Sequence, residues 1–205
     1  MKLNENTKQV CLFAMTVAVG TLCYNLLFPR HRYQQPRSPV SMAVKPESVT
    51  LQGSSQVYVL VEFTDYQRPV CRVVEKTLPA LVSSYKGRVS LVVRNFPLSY
   101  HKFAYGAAIA AEAARAQGKF NSMHDALMST SDISAQNIRK IAMKNHVDMK
   151  RFDEDSHSKA VARLAIDQSE FTTLHLPGTP AFLLCSPAGK VVPLGQLSQL
   201  RELIK

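Results

Sequence analysis

The stretch Val61-Glu62-Phe63-Thr64-Asp65-Tyr66-Gln67-Arg68-Pro69-Val70-Cys71 changes its periodicity halfway along. Up to Phe63 it closes an almost unbroken apolar run that starts at Val57, the pattern of a strand covered on both faces. From Pro69 it turns helical, because proline is tolerated in a first helical turn, where its missing N–H has no intrahelical partner to lose. Val73, Val74, Leu78, Leu81, Val82 and Tyr85 then continue one apolar helical face. Pro79 predicts a kink in this helix, and Gly87 its end. Val89 to Phe96 reads as a second buried strand, so strand, helix and strand together form a parallel βαβ unit.

A helical block follows. Ala104 to Gln117 is Ala-rich and stops at Gly118; Phe120 to Met128, Ser134 to His146 and Lys150 to about Leu174 are further helices. Asp132 or Ser134 and Asp148 stand where N-caps belong. Beyond Pro177-Gly178-Thr179-Pro180, Ala181 to Cys185 is a strand that Ser186-Pro187-Ala188-Gly189 turns back into Lys190 to Leu194. Pro193 marks the returning strand as a sheet edge. Leu197, Leu200, Leu203 and Ile204 end the chain as a short helix. The order βαβ, helical block, ββα describes an α/β fold of thioredoxin type interrupted by a helical insertion at about 100–175.

The chain has 205 residues and a formal net charge of +10. Over 55–205, nineteen Lys and Arg against thirteen acids leave +6; over 1–54, six against two leave +4. No long basic cluster interleaved with aromatics is present, which argues against nucleic acid as a partner. Val10 to Phe28 holds no charged residue and, as a helix, would span about 28 Å, close to the hydrocarbon thickness of a bilayer. A cleavable signal could end at Ala18-Val19-Gly20, but the apolar run continues past it. A lipoprotein site at Cys23 would follow Leu22, which is not small. An uncleaved anchor over 10–28 fits the length best, after a flank at 1–9 and before a Pro- and Ser-containing linker at 29–54. Lys2 and Lys8 on one side and Arg30 and Arg32 on the other give the positive-inside rule no clear sign.

The four cysteines, Cys11, Cys23, Cys71 and Cys185, show no metal or haem spacing, and neither do the six histidines. No Gly-rich phosphate loop is present, and no cofactor is expected. The helix carrying Tyr105, Ile109 and Glu112 reads as the core of the insertion.

Over about residues 55–205 the chain resembles the DsbA-like branch of the thioredoxin superfamily of thiol–disulfide oxidoreductases. Four segments in order carry the resemblance: Val61 to Cys71; Arg94-Asn95-Phe96-Pro97-Leu98; Gly118-Lys119-Phe120 with Met123-His124-Asp125 and Leu127; and Gly178-Thr179-Pro180-Ala181-Phe182. It implies a cis peptide bond between Thr179 and Pro180 facing the first helix, beside which a cysteine-containing peptide pairs as an added strand. It further implies that Glu62 is the buried carboxylate that accepts a proton from the second active-site thiol, here Cys71. Two positions depart from the family pattern. Arg68 stands where the attacking cysteine belongs, and Val70 where His, Tyr or Phe is usual.

Disulfide exchange begins with a thiolate attacking a sulfur, so Arg68 removes the first step of the dithiol reaction. Two readings of Cys71 stand. It is an inert core thiol, or a monothiol nucleophile with its pKa lowered by the helix start and by Arg68 and Arg72. Without the first cysteine, Glu62 is expected to pair with a nearby Lys or Arg. Arg68 is either a residue without function at an exposed position or a fork that grips carboxylates. Cys185 lies five residues beyond Pro180, about 16 Å along a strand and too far to bridge Cys71, unless the two meet as a structural bond.

The expected protein is a membrane-anchored DsbA-like module with its domain outside the cytoplasm. Arg68, Pro69, Val70, Thr179 and Pro180 would contact extended polypeptides, and the degenerate Arg-Pro-Val-Cys site would leave it redox-impaired and chaperone-like. The alternative is a monothiol oxidoreductase or isomerase acting through Cys71.

Overall fold

The computed structural model describes residues 57–204. The expected flank, membrane anchor and linker, with Cys11 and Cys23, lie outside the described residues. Among the described residues no helix is long and apolar enough to cross a membrane.

Strand β1 (Tyr58–Thr64) leads into helix α1 (Pro69–Glu75) and helix α2 (Leu78–Ser83), and strand β2 (Val89–Asn95) returns parallel to β1. The single kinked helix expected here is two. Pro79 lacks an N–H, and its ring would crowd the carbonyl of Glu75 four residues earlier, so the first helix ends at that residue and α2 restarts with Pro79 in its first turn.

Five helices follow: α3 (Ala104–Arg115), α4 (Phe120–Ser129), α5 (Ala135–Lys144), α6 (Met149–Ser156) and α7 (Lys159–Thr173). Helix α3 is buried along nearly its whole length. Its alanines let α4, α5, α6 and α7 approach closely, and together they form the core of the insertion. Ser134 and Asp148 cap α5 and α6, each accepting from backbone N–H groups of the first turn.

The one helix expected over Lys150 to Leu174 is also two. At the end of α6, Ser156 Oγ donates to the Phe152 carbonyl and Ser158 Oγ to that of Glu154, while His157 Nδ1 lies 2.7 Å from the Asp153 carbonyl. Side chains competing for these carbonyls weaken a helix and bend it, and here the chain breaks before Lys159.

Strands β3 (Ala181–Cys185) and β4 (Val191–Leu194) complete an antiparallel hairpin; a 3₁₀ turn (Leu197–Gln199) and helix α8 (Leu200–Leu203) close the described chain. The sheet order is β2-β1-β3-β4, with β4 and its Pro193 at the edge.

Alternation along β1 decides what each face holds. Val59, Val61 and Phe63 join Phe171 of α7, whose ring stacks on Phe96 at 3.6 Å and meets Phe63 edge-on at 5.4 Å. Leu60 points the other way, onto Leu78, Tyr85 and Leu200. Glu62, two residues on, shares the Leu60 face, so a carboxylate is carried toward the side that α1 and α2 cover.

A buried charge cluster ties β2 to the insertion. Asp167 of α7 accepts from Asn95 N at 3.0 Å and lies 3.1 Å from both Arg94 and Arg163; Arg94 also pairs with Glu170. Burial nonetheless pushes the Asp167 carboxyl up to about 6, against the pull of Arg163, the Asn95 N–H and Arg94.

Candidate functional site

The site forms where β1 ends and α1 begins. Asp65, fully buried in that turn, holds it by three contacts: Oδ1 accepts from Gln67 N at 2.7 Å, and Oδ2 accepts from Leu98 N and meets His101 Nδ1, each at 2.8 Å. Gln67 Oε1 in turn accepts from Phe103 N at 2.8 Å, which fastens the loop before α3 against the loop before α1. Arg68 is the N-cap residue of α1, and the Cys71 N–H donates to its carbonyl at 3.1 Å.

Residues 68 and 71 therefore sit one turn apart but in unlike surroundings. Pro69 and Val70 are exposed and Arg68 half-buried, whereas Cys71 is fully buried. Burial pushes the Cys71 thiol above its ordinary value; the Asp65 backbone and the hydroxyls of Thr179 and Thr64 oppose this, and the Glu62 charge adds to it. A thiol lowered by two arginines is not what the structure holds. Arg72 points away, its Nε donating to the Tyr66 carbonyl at 2.9 Å and its Nη2 to the carbonyls of Leu127 and Thr130, at the end of α4. It serves the electronegative end of that helix instead of the sulfur.

Glu62 is not paired with a base. It is fully buried, neither of its oxygens has a well-formed hydrogen bond, and its charged neighbour is a second carboxylate, Glu75. Burial pushes Glu62 up to about 8; the Glu75 charge adds to the shift and the Thr64 hydroxyl opposes it. Glu75 lies four residues after Cys71, on the same face of α1.

Past Glu75 the polar path continues into the insertion. His124 Nε2 of α4 lies 3.3 Å from Glu75 Oε1, and His124 Nδ1 lies 2.9 Å from the Tyr66 hydroxyl. Burial raises the Tyr66 pKa well above its ordinary value, so Tyr66 keeps its proton.

The peptide bond between Thr179 and Pro180 is cis, as the resemblance implied. Thr179 is buried beside the sulfur and Pro180 is half-buried. The structure thus brings Cys71, Glu62, Thr64 and Thr179 together, with Arg68 across from Gly178 on the outer side. Cys185 is far from this point: it stands opposite Val59 in the β1–β3 register, and both it and Cys71 are free thiols. Among the described residues no three His, Cys, Asp or Glu converge to hold a metal ion.

Asp65, Tyr66, Glu75, His101 and His124 were not singled out in the sequence. The spacing of Cys71 and Glu75 was a usable signal, as was the Asp-x-Gln turn. The partners of His124 and His101 come from distant segments and left no local trace.

The family model described as Thioredoxin matches residues 47–204. The chain belongs to the thioredoxin family. A solved thioredoxin-like oxidoreductase from Silicibacter pomeroyi DSS-3 is 31% identical, with a TM-score of 0.62 over 72% of this chain and 84% of that one. The thiol-disulfide exchange protein alpha-DsbA2 from Wolbachia pipientis, 19% identical, shares the fold at a TM-score of 0.60 over 74% of this chain and 82% of that one. Among curated proteins, the Na(+)/H(+) antiporter NhaA 1 of Mycobacterium sp. (strain KMS) is 30% identical over 190 residues, 88% of this chain but 31% of the antiporter. The chain thus spans under a third of the length of the curated relative it matches.

Proposed function

We propose that this thioredoxin-family chain is a DsbA-like module whose dithiol chemistry is lost or strongly reduced, and that it binds extended polypeptide, including cysteine-containing segments, in the cleft beside Pro180. Arg68, Pro69, Val70, Thr179 and Pro180 would form the contact surface. The observation that carries the reading is the contrast across one helical turn: the half-buried, outward position holds Arg68, and the one thiol nearby, Cys71, is buried with a raised pKa. A thiol of that kind is mostly protonated at neutral pH and sheltered from a client's disulfide. The uncharged stretch 10–28 supports a tether that holds the domain at the outer face of a membrane, as does the kinship with thiol–disulfide oxidoreductases.

The test is disulfide turnover by the purified full chain, with insulin as substrate and glutathione as the only other thiol. The expected rate is that of the buffer. Turnover in the wild type that vanishes in Cys71→Ser would overturn the reading.

One observation favours a second reading, a monothiol oxidoreductase acting through Cys71. Glu62, pushed up to about 8, lies close enough to influence the thiol and would become the acceptor of its proton as pH rises toward 8. Alkylation of Cys71 followed against pH separates the two. A fast-reacting thiol with an acidic midpoint supports the enzyme; slow reaction with a midpoint above that of free cysteine supports the binding module.

A further inference from the structure

Among the described residues, Arg68 is the one arginine around the site whose donors are unspent. Arg72 is held by backbone carbonyls, Arg94 by Asp167 and Glu170, and Arg115 by Glu112. The Arg68 guanidinium has no hydrogen bond or ion pair among the described residues. It is nonetheless placed. A Cβ built on Gly178 would meet Arg68 Nη1 at 3.2 Å, so the guanidinium lies against the backbone of the loop that leads into Thr179-Pro180. A bulkier residue at 178 would displace it; glycine makes room.

The nearest acid in sequence, Asp65, makes no ion pair with it; its oxygens are turned to Gln67, Leu98 and His101. Apolar surface adjoins it. Val70 and Val73 of α1 are 44% and 63% exposed, and Phe103, anchored to Gln67, is also exposed. A guanidinium offers five N–H donors in a rigid fork, and among the described residues none of those of Arg68 meets an acceptor. The complement of this surface is an extended, mainly apolar segment that carries a planar carboxylate at one position.

We infer that Arg68 selects the polypeptide by a carboxylate, which its fork receives over Gly178 as the segment lies along the Gly178–Pro180 loop. This deepens the proposed polypeptide-binding function and rests on it. The carboxylate is supplied by an Asp or Glu side chain or by a free chain terminus, and both present the same chemistry. Substituting Arg for the family's cysteine thus turns a covalent contact into an ionic one at the same place.

The experiment is fluorescence anisotropy of the full chain, in detergent, with three labelled nine-residue peptides of Val, Thr and Ser. The first has a central Glu and an amidated end, the second a central Gln and a free carboxyl end, and the third a central Gln and an amidated end. The Glu peptide or the free-end peptide is expected to bind about tenfold more tightly than the third, the size of one charge-assisted pairing, and whichever gains identifies the source. Arg68→Gln should abolish the preference, so that the three peptides bind alike, and Arg68→Lys should restore only part of it.

Equal binding of all three peptides to the wild type overturns the inference and leaves polypeptide binding standing. A preference that survives in Arg68→Gln assigns it to another cation and also overturns the inference. Failure of every peptide to bind refutes the binding function itself, and the selection by Arg68 with it.

Discussion

Glu62→Gln should stabilise this protein at neutral and alkaline pH. Folding raises the carboxyl of Glu62 from an ordinary 4.5 to about 8, chiefly by burial and then by the charge of Glu75. The folded chain therefore holds a proton that the unfolded chain releases above pH 4.5. Stability from this group is fully present below pH 4.5 and is lost as pH rises toward 8. At about 1.36 kcal/mol per pH unit, the loss is about 3 kcal/mol at pH 7 and about 5 kcal/mol once pH exceeds 8. A glutamine keeps the size of the side chain, donates to the Glu75 carboxylate and never ionises. Urea unfolding of the full chain and its Glu62→Gln variant at half-unit steps from pH 4.5 to 9 measures the effect. Taking the difference at each pH cancels the histidines and Asp167, which titrate in both proteins. The two should be nearly equal at pH 4.5 and diverge in favour of the variant, with unchanged denaturant slopes. A difference that stays flat within about 1 kcal/mol, or a wild type that gains on the variant as pH rises, would refute the account of an isolated buried carboxyl pair.

Arg94→Met should cost about 3 kcal/mol in urea unfolding, because it strands Asp167 and Glu170 while Arg163 still compensates one of them; a loss under about 1 kcal/mol would mean the cluster is solvated. Phe171→Ala removes the ring between Phe96 and Phe63 and should lower stability by about 3–5 kcal/mol, read from the same midpoint; an unshifted midpoint would show that the α7 face of the sheet repacks freely. Arg68→Cys places a second sulfur one turn before Cys71, where the Cys71 N–H already bonds to the residue 68 carbonyl. Mild oxidant should then remove two titratable thiols per chain relative to Arg68→Ala, and persistence of both after denaturation would show that the turn cannot close the bond.

The fold was legible because its signals are local. Strand β1 announces itself by an unbroken apolar run, the β3–β4 hairpin by its turn and Pro193, and α3 by alanines closed with Gly118. The two errors of length, at Pro79 and at His157-Ser158, are also local, since proline and serine interrupt helices that hydrophobic periodicity would have continued. The site was less legible because its electrostatics are made across the chain. Arg72 is adjacent in sequence to Cys71, and sequence alone aims it at the sulfur. In the structure it is taken by the carbonyls of Leu127 and Thr130, more than fifty residues away. Glu62 was expected to meet a base because most buried carboxylates do; instead the face of α1 that covers it carries Glu75.

These contacts divide one helical turn into two unlike halves. Toward the interior, Cys71 answers to Glu62, Thr64 and Thr179, and through Glu75 the polar path runs on to His124 and Tyr66. Toward the surface, Arg68, Pro69 and Val70 face the Gly178 loop and solvent; among the described residues Arg68 meets the inner group through its backbone carbonyl, at the Cys71 N–H, and not through its side chain. A residue exchanged at position 68 should therefore leave the inner half as it is. This is why two proposed properties are separable. Placing a sulfur at position 68 should give a redox centre supported from below, and should in the same step remove the charge by which the cleft is proposed to choose what it binds.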